Sequence, residues 1–308
     1  MRYSLRQLEY FIAAAETGSI TLAAERIAIS QPSISAAIAH LEREWQVQLF
    51  VRHHAQGLSL TAPGRTMLRE AKAVVQQAEG LYALASDSVQ QVRGALTLGC
   101  MTTLAAMLVP ELLRAAAEAY PALQVRLVEG DAALLCHRLA RAEIDVALAY
   151  DLGLTRDVAF EKLASIGPHA LMHPAHPLAQ GGPVSLEELA REKLILLDLP
   201  HSREYFLGLF LSRGLEPLIG ASSASQDVVR ALIANGHGYG LFNARPRSQA
   251  ALDGQPLVRV KLAGEHRPLS IGLATLRGLT LPRVTGAFAD LCRARIRDDA
   301  IPGMAPPV

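Results

Sequence analysis

The sequence predicts an α+β multi-domain chain: a small helical unit closed by a β-ribbon, one long helix, and a larger region of strands and helices. Three observations carry this reading. Residues 18–64 hold two short helical patterns joined by a tight polar turn, then a longer helix and a ribbon. Residues 64–91 contain no proline and space their apolar residues in heptads. From Ala95 onward, short apolar runs alternate with helical patterns, which implies a parallel sheet.

Leu5 to Glu16 reads as a helix with Leu8, Phe11, Ile12 and Ala15 on one face. Ser19 is a good N-cap for a helix over Thr21 to Ile27, with Leu22, Ala23 and Ile27 at helical spacing. Ser30 caps the next helix, and Pro32 falls near its first turn, where a missing N–H costs nothing. Ile34, Ile38 and Leu41 recur at i, i+4, i+7 and mark its buried face. Gln31, Ser33, Ser35 and Ala36 occupy the opposite face, short enough for a backbone to lie close to a DNA groove. Two helices on a short turn, the second small and polar outside, form the helix-turn-helix pattern.

In the long helix, Leu68, Ala71, Val75, Ala78, Tyr82, Ala85 and Val89 alternate in spacings of three and four. That seam reads as a coiled-coil dimerisation helix, because a lone stripe this long would stay wet. The alternative is a helix packed on its own domain, and Gly80 and the small alanines weaken the seam.

Beyond it, strands are predicted at Ala95–Cys100, Leu123–Val128 and Ile144–Ala149, with helices at Leu104–Tyr120 and Ala132–Arg141. A second set spans Ala170–Met172, Leu186–Ala190, Lys193–Leu197, Glu204–Ser212, Gln226–Ala234 and Tyr239–Phe242. Pro268–Leu276 reads as a further strand and Arg283–Arg297 as a closing helix, while residues 173–183 are loop-like. No exact internal repeat is present.

At 308 residues and 50% hydrophobic content the chain can bury cores for two or three domains. The net charge is +1, so overall charge does not announce nucleic acid. What matters is placement, with Arg52, His53, His54 and Arg65 clustered at the ribbon. Cys100, Cys136 and Cys292 are odd in number and widely spaced, which argues against a disulfide framework and fits a reducing cytoplasm. The N-terminus is interrupted by Arg6 and Glu9 and does not read as a signal peptide, and no apolar run is long enough for a membrane span.

The run Ser30-Gln31-Pro32-Ser33-Ile34-Ser35, then Leu41-Glu42, Leu49-Phe50, Arg52 and Leu60-Thr61 with Gly64, resembles the winged helix-turn-helix of LysR-type transcriptional regulators. The resemblance runs without gaps from about Leu5 to Gly64, and the remaining chain has the family's length and layout. It implies that Gln31, Pro32, Ser33, Ser35 and Ala36 lie on the recognition helix and Arg52 on the wing. Thr21, Ser30 and His53 complete the candidate DNA contacts. The chain departs from many relatives at Ala36 and Ala37, where a long basic or amide side chain is common, and at His53, His54 and Gln56 after the wing arginine.

The resemblance further implies a winged helix-turn-helix domain over residues 1–63, a coiled-coil linker over 64–92 and a two-lobed α/β effector domain over 93–308, similar to periplasmic binding proteins. Lobe one would take about 93–167 and 268–303, lobe two about 168–267, with crossings near Gly167 and Arg267. Implied partners are double-stranded promoter DNA, a small-molecule effector, a second copy forming a homodimer or tetramer, and RNA polymerase. No cofactor, metal or membrane is expected.

Ligands of open α/β sheets bind beyond the carboxyl ends of strands. The first strand ends at Gly99-Cys100, and Thr102-Thr103 opens the next helix, offering free N–H groups and a hydroxyl to an anion such as a carboxylate. Alternatively, either threonine merely caps its helix. In the second lobe Asp198, His201, Ser202, Arg203 and Tyr205 sit between a strand and a helix. Ser202 can cap that helix, and Asp198 would repel a carboxylate unless Arg203 or an amino group pairs with it. Tyr150 and Asn243 are further edges of the same cleft. Cys100 also faces it, although without a resolving partner or basic neighbour it reads as a small apolar residue rather than a redox switch.

His169, His173 and His176 lie in a proline-bearing stretch without helical spacing and read as surface loop rather than metal ligands. The alternating glycines of NGHGYG, 235–240, read as close backbone approach or a turn. No GxSxG, HExxH or P-loop is present, so an enzyme is not expected. The remaining alternative is a cytoplasmic small-molecule-binding protein of the periplasmic-binding type without a regulatory role.

Overall fold

The computed structural model describes residues 3–53, 57–85 and 92–306. Three helices open the chain: α1 (Leu5–Thr17), α2 (Ile20–Ile27) and α3 (Gln31–Trp45). Each starts on a serine whose side chain accepts a first-turn N–H: Ser4 from Gln7, Ser19 from Leu22 and Ser30 from Ser33. These bonds satisfy donors that a helix start leaves orphaned. Leu8, Phe11, Ile34, Ile38 and Leu41 are buried together, and the Phe11 ring meets Phe50 edge-on at 5.6 Å. The turn from α2 into α3 passes through Ala28 at φ 54°, a left-handed conformation that costs an alanine roughly 1–2 kcal/mol.

Strands β1 (Phe50–His53) and β2 (Gly57–Leu60) pair antiparallel as a ribbon. The backbone N–H of Leu58 donates to the Gly18 carbonyl at 2.7 Å, which pins the ribbon to the end of α1. Gly57 is required there, since its φ is 88° and a Cβ would lie 2.6 Å from that same carbonyl oxygen.

The long helix is α4 (Ala62–Ala85). It corrects part of the dimerisation reading. Leu68 and Ala71 are buried in the helix-turn-helix core, and Val75 packs partly against it. The helix starts directly after the ribbon and lies along α1, so the first half of the seam is already covered by the chain's own domain. Tyr82 and Ala85 fall where side chains are not described, and Val89 lies outside the described residues. Lys72 reaches across, its Nζ 2.9 Å from Glu16 Oε1 and 2.8 Å from the Ala142 carbonyl.

The next elements are β3 (Arg93–Met101), α5 (Thr102–Ala119), β4 (Ala122–Gly130), α6 (Ala132–Ala140), β5 (Val146–Tyr150) and β6 (Val158–Ile166). The chain then builds β7 (His169–Met172), α7 (Leu186–Leu189), β8 (Lys193–Leu197), α8 (Ser202–Leu211), β9 (Leu218–Ser223), α9 (Gln226–Ala234), β10 (Gly240–Phe242) and β11 (Val258–Lys261). It returns through β12 (Leu269–Leu276) and ends on α10 (Arg283–Arg295).

The first sheet has the order β4-β3-β5-β12-β6. Its β3, β4 and β5 are parallel as expected, but β12 runs antiparallel to both β5 and β6. The wholly parallel expectation fails because β6 leaves for the second lobe and β12 comes back beside it. In lobe two, β8 and β9 are parallel, whereas β10-β7-β11 is antiparallel. Tyr239 joins these two pieces through a bridge to Leu194. The glycine-rich turn permits that approach: at Gly238, φ 152°, a Cβ would stand 2.1 Å from the Lys193 carbonyl oxygen.

A further strand-like contact links the lobes. Met304 bridges to Pro246, and the N–H of Ala305 donates to the Arg245 carbonyl at 2.8 Å. Arg247 of this pairing also reaches Glu111 on α5 at 2.6 Å.

Candidate DNA-reading face and effector cleft

The start of α3 presents the predicted face. Gln31, Pro32, Ser33 and Ala36 are exposed, Ser35 is half-buried, and Ile34, Ala37 and Ile38 point into the core. Ser30 and Ser33 share a hydroxyl contact at 2.8 Å, so part of Ser33's hydrogen-bonding capacity is spent on the cap. Thr21 on α2 is exposed as well. Arg52 and His53 lie on β1, with Arg52 opposite Leu58 in the ribbon, and their side chains are not described. His54 and Gln56 lie outside the described residues.

Between the lobes lies a cavity of about 960 Å³, within the range of small-molecule sites. Four helices begin at its wall: α5 at Thr102, α6 at Ala132, α8 at Ser202 and α9 at Gln226. Each adds a positive dipole end, while Asp131 caps α6 at Leu134, Ser225 caps α9 at Val228, and the first two N–H groups of α8 donate to the Pro200 and Leu199 carbonyls. The α5 start has no side-chain cap, so neither threonine is consumed as one. Thr103 instead bonds the Tyr150 hydroxyl, and Tyr150 is buried with its pKa pushed up by desolvation.

Of the predicted effector residues, Thr102, Thr103, Tyr150, His201 and Ser202 line this cavity together. Ser202 is the first residue of α8 and not its cap, which corrects that expectation; the cap position is His201, at φ 63°. A non-glycine residue held there is strained, as functional loops often are. Its ring lies against lobe one, where a Cβ on Gly153 would come within 2.3 Å of it.

Two predicted residues, Cys100 and Asp198, stand outside the cavity wall, and a third, Asn243, lines a small recess shared with Thr103, Tyr150 and Ser202. Cys100 is fully buried behind Met101, and burial pushes its thiol far above the ordinary range, which removes the cleft-facing reading. Asp198 pairs with Arg203 at 3.2 Å in the exposed loop. Asn243 is buried at the crossings: its side-chain amide donates to the Ile166 carbonyl and to the Tyr205 hydroxyl, each at 3.1 Å. Tyr205 in turn donates to the Arg267 carbonyl at 2.7 Å. Asn243 therefore ties both segments that pass between lobes.

Sequence reasoning missed Asp131, Gln226, Asp227, Arg230 and Arg247, which also line the cavity. Asp131 caps α6 through Leu134. The α9 residues were not placed because β9, whose end feeds that helix, went unread. A Ser-rich stretch ending on Ser225, the cap of α9, was the available signal.

A winged helix-turn-helix on a long helix, followed by two lobes around a cleft lined by helix starts, defines a ligand-responsive DNA-binding regulator. Residues 5–65 match the bacterial regulatory helix-turn-helix proteins of the lysR family, and residues 90–297 match the LysR substrate binding domain. The chain belongs to the LysR family of transcriptional regulators. It is 30% identical over 231 residues to the HTH-type transcriptional regulator CysB of Burkholderia cenocepacia, covering 73% of this chain and 72% of that protein. The crystal structure of HinK, a LysR family regulator from Pseudomonas aeruginosa, matches with 34% identity and a TM-score of 0.64, covering 96% of this chain and 99% of that one. Full-length CbnR in complex with its target DNA shares the fold, with 24% identity, a TM-score of 0.57 and coverage of 94% and 99%.

Proposed function

We propose that this regulator reads double-stranded promoter DNA through the start of α3, with Gln31 and Ser33 at base edges and Thr21, Ser30, Pro32, Ser35 and Ala36 beside them. Arg52 and His53 on the wing hold phosphate. CbnR, solved with its target DNA, is the precedent for a like fold on a duplex. The domain division follows the chain: a DNA-binding unit over residues 1–63, the linker over 64–92 and the effector domain over 93–308. The protein works in the cytoplasm without catalysis, as a homodimer or a tetramer of paired dimers, with RNA polymerase as a further partner. Among the described residues, no helix is long and apolar enough to cross a membrane.

The observation that carries the effector reading is the convergence of Thr102, at the start of α5 that has no side-chain cap, Ser202 and Arg230 on one cavity. Helix starts, hydroxyls and a guanidinium select an anion, while Asp131 and Asp227 at the same wall admit an amino group. The ligand class is thus a small carboxylate or amino acid. Its binding shifts the population of lobe arrangements and so the placement of the DNA domains.

Thr102→Val keeps the shape and removes the hydroxyl, leaving an acceptor on the ligand unpaired at a cost of about 1–3 kcal/mol. Calorimetry against a panel of carboxylates and amino acids, run beside a promoter reporter, checks this. The expected variant binds DNA as the parent does and loses effector affinity. Equal effector affinity in Thr102→Val and Ser202→Ala would remove the cleft assignment.

A further inference from the structure

Lobe two gathers three guanidiniums, of which Arg230 also lines the cleft. Arg230 on α9 and Arg245 beside the C-terminal segment are 7% and 5% exposed, and Arg259 on β11 is half-buried. Their hydrogen bonds go to backbone carbonyls: Arg230 donates to Ala250 at 3.0 Å and Arg245 to Ala305 at 3.2 Å. Among the described residues, Nη1 of Arg259 is buried without a partner, and so is Nδ1 of His169, a side chain only 4% exposed.

The four groups feel one another. Burial, then the charges of Arg259, Arg245 and Arg230, hold the His169 ring neutral, its pKa lowered to about 3. Burial and then Arg259 lower the Arg245 pKa. Burial also lowers that of Arg230, where Asp227 opposes the shift and Arg259 adds to it. Among the described residues, Asp227 offsets Arg230 alone. Cations taken out of water without counter-charge are destabilised, so such a cluster is an unfilled electrostatic demand.

A groove of about 480 Å³ opens at the edge of this cluster, at Arg259, between β11 and the C-terminal segment. Arg247, Gln249 and Arg259 line it, with Met304, Ala305 and Pro306 as the far wall. The carbonyl that Arg245 holds belongs to that wall. We infer that this groove is a second ligand site, distinct from the inter-lobe cleft although Arg247 borders both, which takes a tetrahedral oxyanion, free or as a phosphomonoester, on Arg259, with Arg247 and Gln249 at the same wall. The planar fork of an arginine matches two oxygens of such an anion, and a charge-assisted pair is about twice as strong as a neutral one. The inference does not depend on which metabolite fills the cleft.

The test is calorimetric titration of the full-length protein in low-chloride buffer with inorganic phosphate, sulfate and glycerol phosphate. Melting curves with and without phosphate accompany it. Binding should survive Thr102→Val and weaken about tenfold or more in Arg259→Gln, which deletes a charged donor. Arg259→Gln should melt no lower than the parent without phosphate and lose the stabilisation that phosphate gives the parent. If that variant does not fold, Arg259→Lys keeps the charge without the fork and should still bind more weakly. Glycerol phosphate binding as well as inorganic phosphate would assign the site to phosphomonoesters, and loss of the ester alone would assign it to the free ion. Absence of binding by the parent, unchanged binding in the Arg259 variants, or loss in Thr102→Val instead would overturn the site. So would dissociation of the oligomer by Arg259→Gln with phosphate binding intact, since a second copy would then be what fills the groove.

Discussion

At the scale of single residues, His169 shows how burial sets chemistry. It sits at the first position of β7, 4% exposed, with its pKa lowered to about 3 by desolvation and by three nearby arginines. The folded protein therefore binds this proton less readily than the unfolded chain, whose ring has the ordinary value of 6.5. Its contribution to stability is complete above pH 6.5 and is lost as pH falls from 6.5 toward 3. Between those limits the slope is up to about 1.4 kcal/mol per pH unit. Urea unfolding between pH 6 and 5 should be flatter in His169→Gln than in the parent; parallel slopes would show that the ring is not held neutral. The sequence offered His169 only as part of a histidine-bearing surface stretch, because a buried imidazole has no signature apart from the strand around it. Thr102, Thr103 and Tyr150 were legible at the same scale, since a strand end before a helix is a local pattern. Cys100 was not, because which side a strand-end residue faces depends on the neighbouring strands.

At the scale of elements, α1, α2 and α3 were legible almost to the residue. Ser19 and Ser30 mark their own helices in one dimension, and the buried face of α3 repeats within a few turns. Strands β6, β9 and β11 were not read. β6 alternates buried positions with Glu161 and Lys162, and most of β9 is exposed, so neither shows a clear apolar run. The DNA-reading elements yield a paired prediction. Gln31→Ala removes an amide able to grip adenine at two points, worth about 1–3 kcal/mol of discrimination. Binding to random DNA should be nearly unchanged. Arg52→Ala should weaken binding to every sequence and flatten the plot of log affinity against log salt by about 0.9. Titrations at four salt concentrations on specific and random duplexes separate the two. A uniform loss from Gln31→Ala, or an unchanged slope from Arg52→Ala, would reverse the roles.

At the scale of the whole molecule, the alternation of strands and helices showed an α/β region, and the family resemblance supplied its two lobes and the crossings near Gly167 and Arg267. The ties between the lobes were hidden. They depend on pairs far apart in the chain, Asn243 with Ile166, Tyr205 with Arg267 and Arg247 with Glu111. The proposed surface for a second copy is the part of α4 that the DNA-binding unit leaves open. Val74, an apolar residue 40% exposed there, is the position to perturb. Val74→Glu would bury a lone charge in such an interface, at a cost of several kcal/mol. Sedimentation should show smaller assemblies, and an unchanged mass would place the interface elsewhere.

The central claim is that this chain is a regulator reading paired half-sites under the control of a cleft ligand. Footprinting on the DNA upstream of its own coding region tests it most directly, with and without an effector found by calorimetry. Protection is expected over half-sites whose centres lie about 10–10.5 base pairs apart or multiples of that, on one face of the duplex. The pattern should shift when effector is added to the parent and stay fixed in Thr102→Val. Protection without sequence preference, or a footprint that responds equally in parent and variant, would contradict the account.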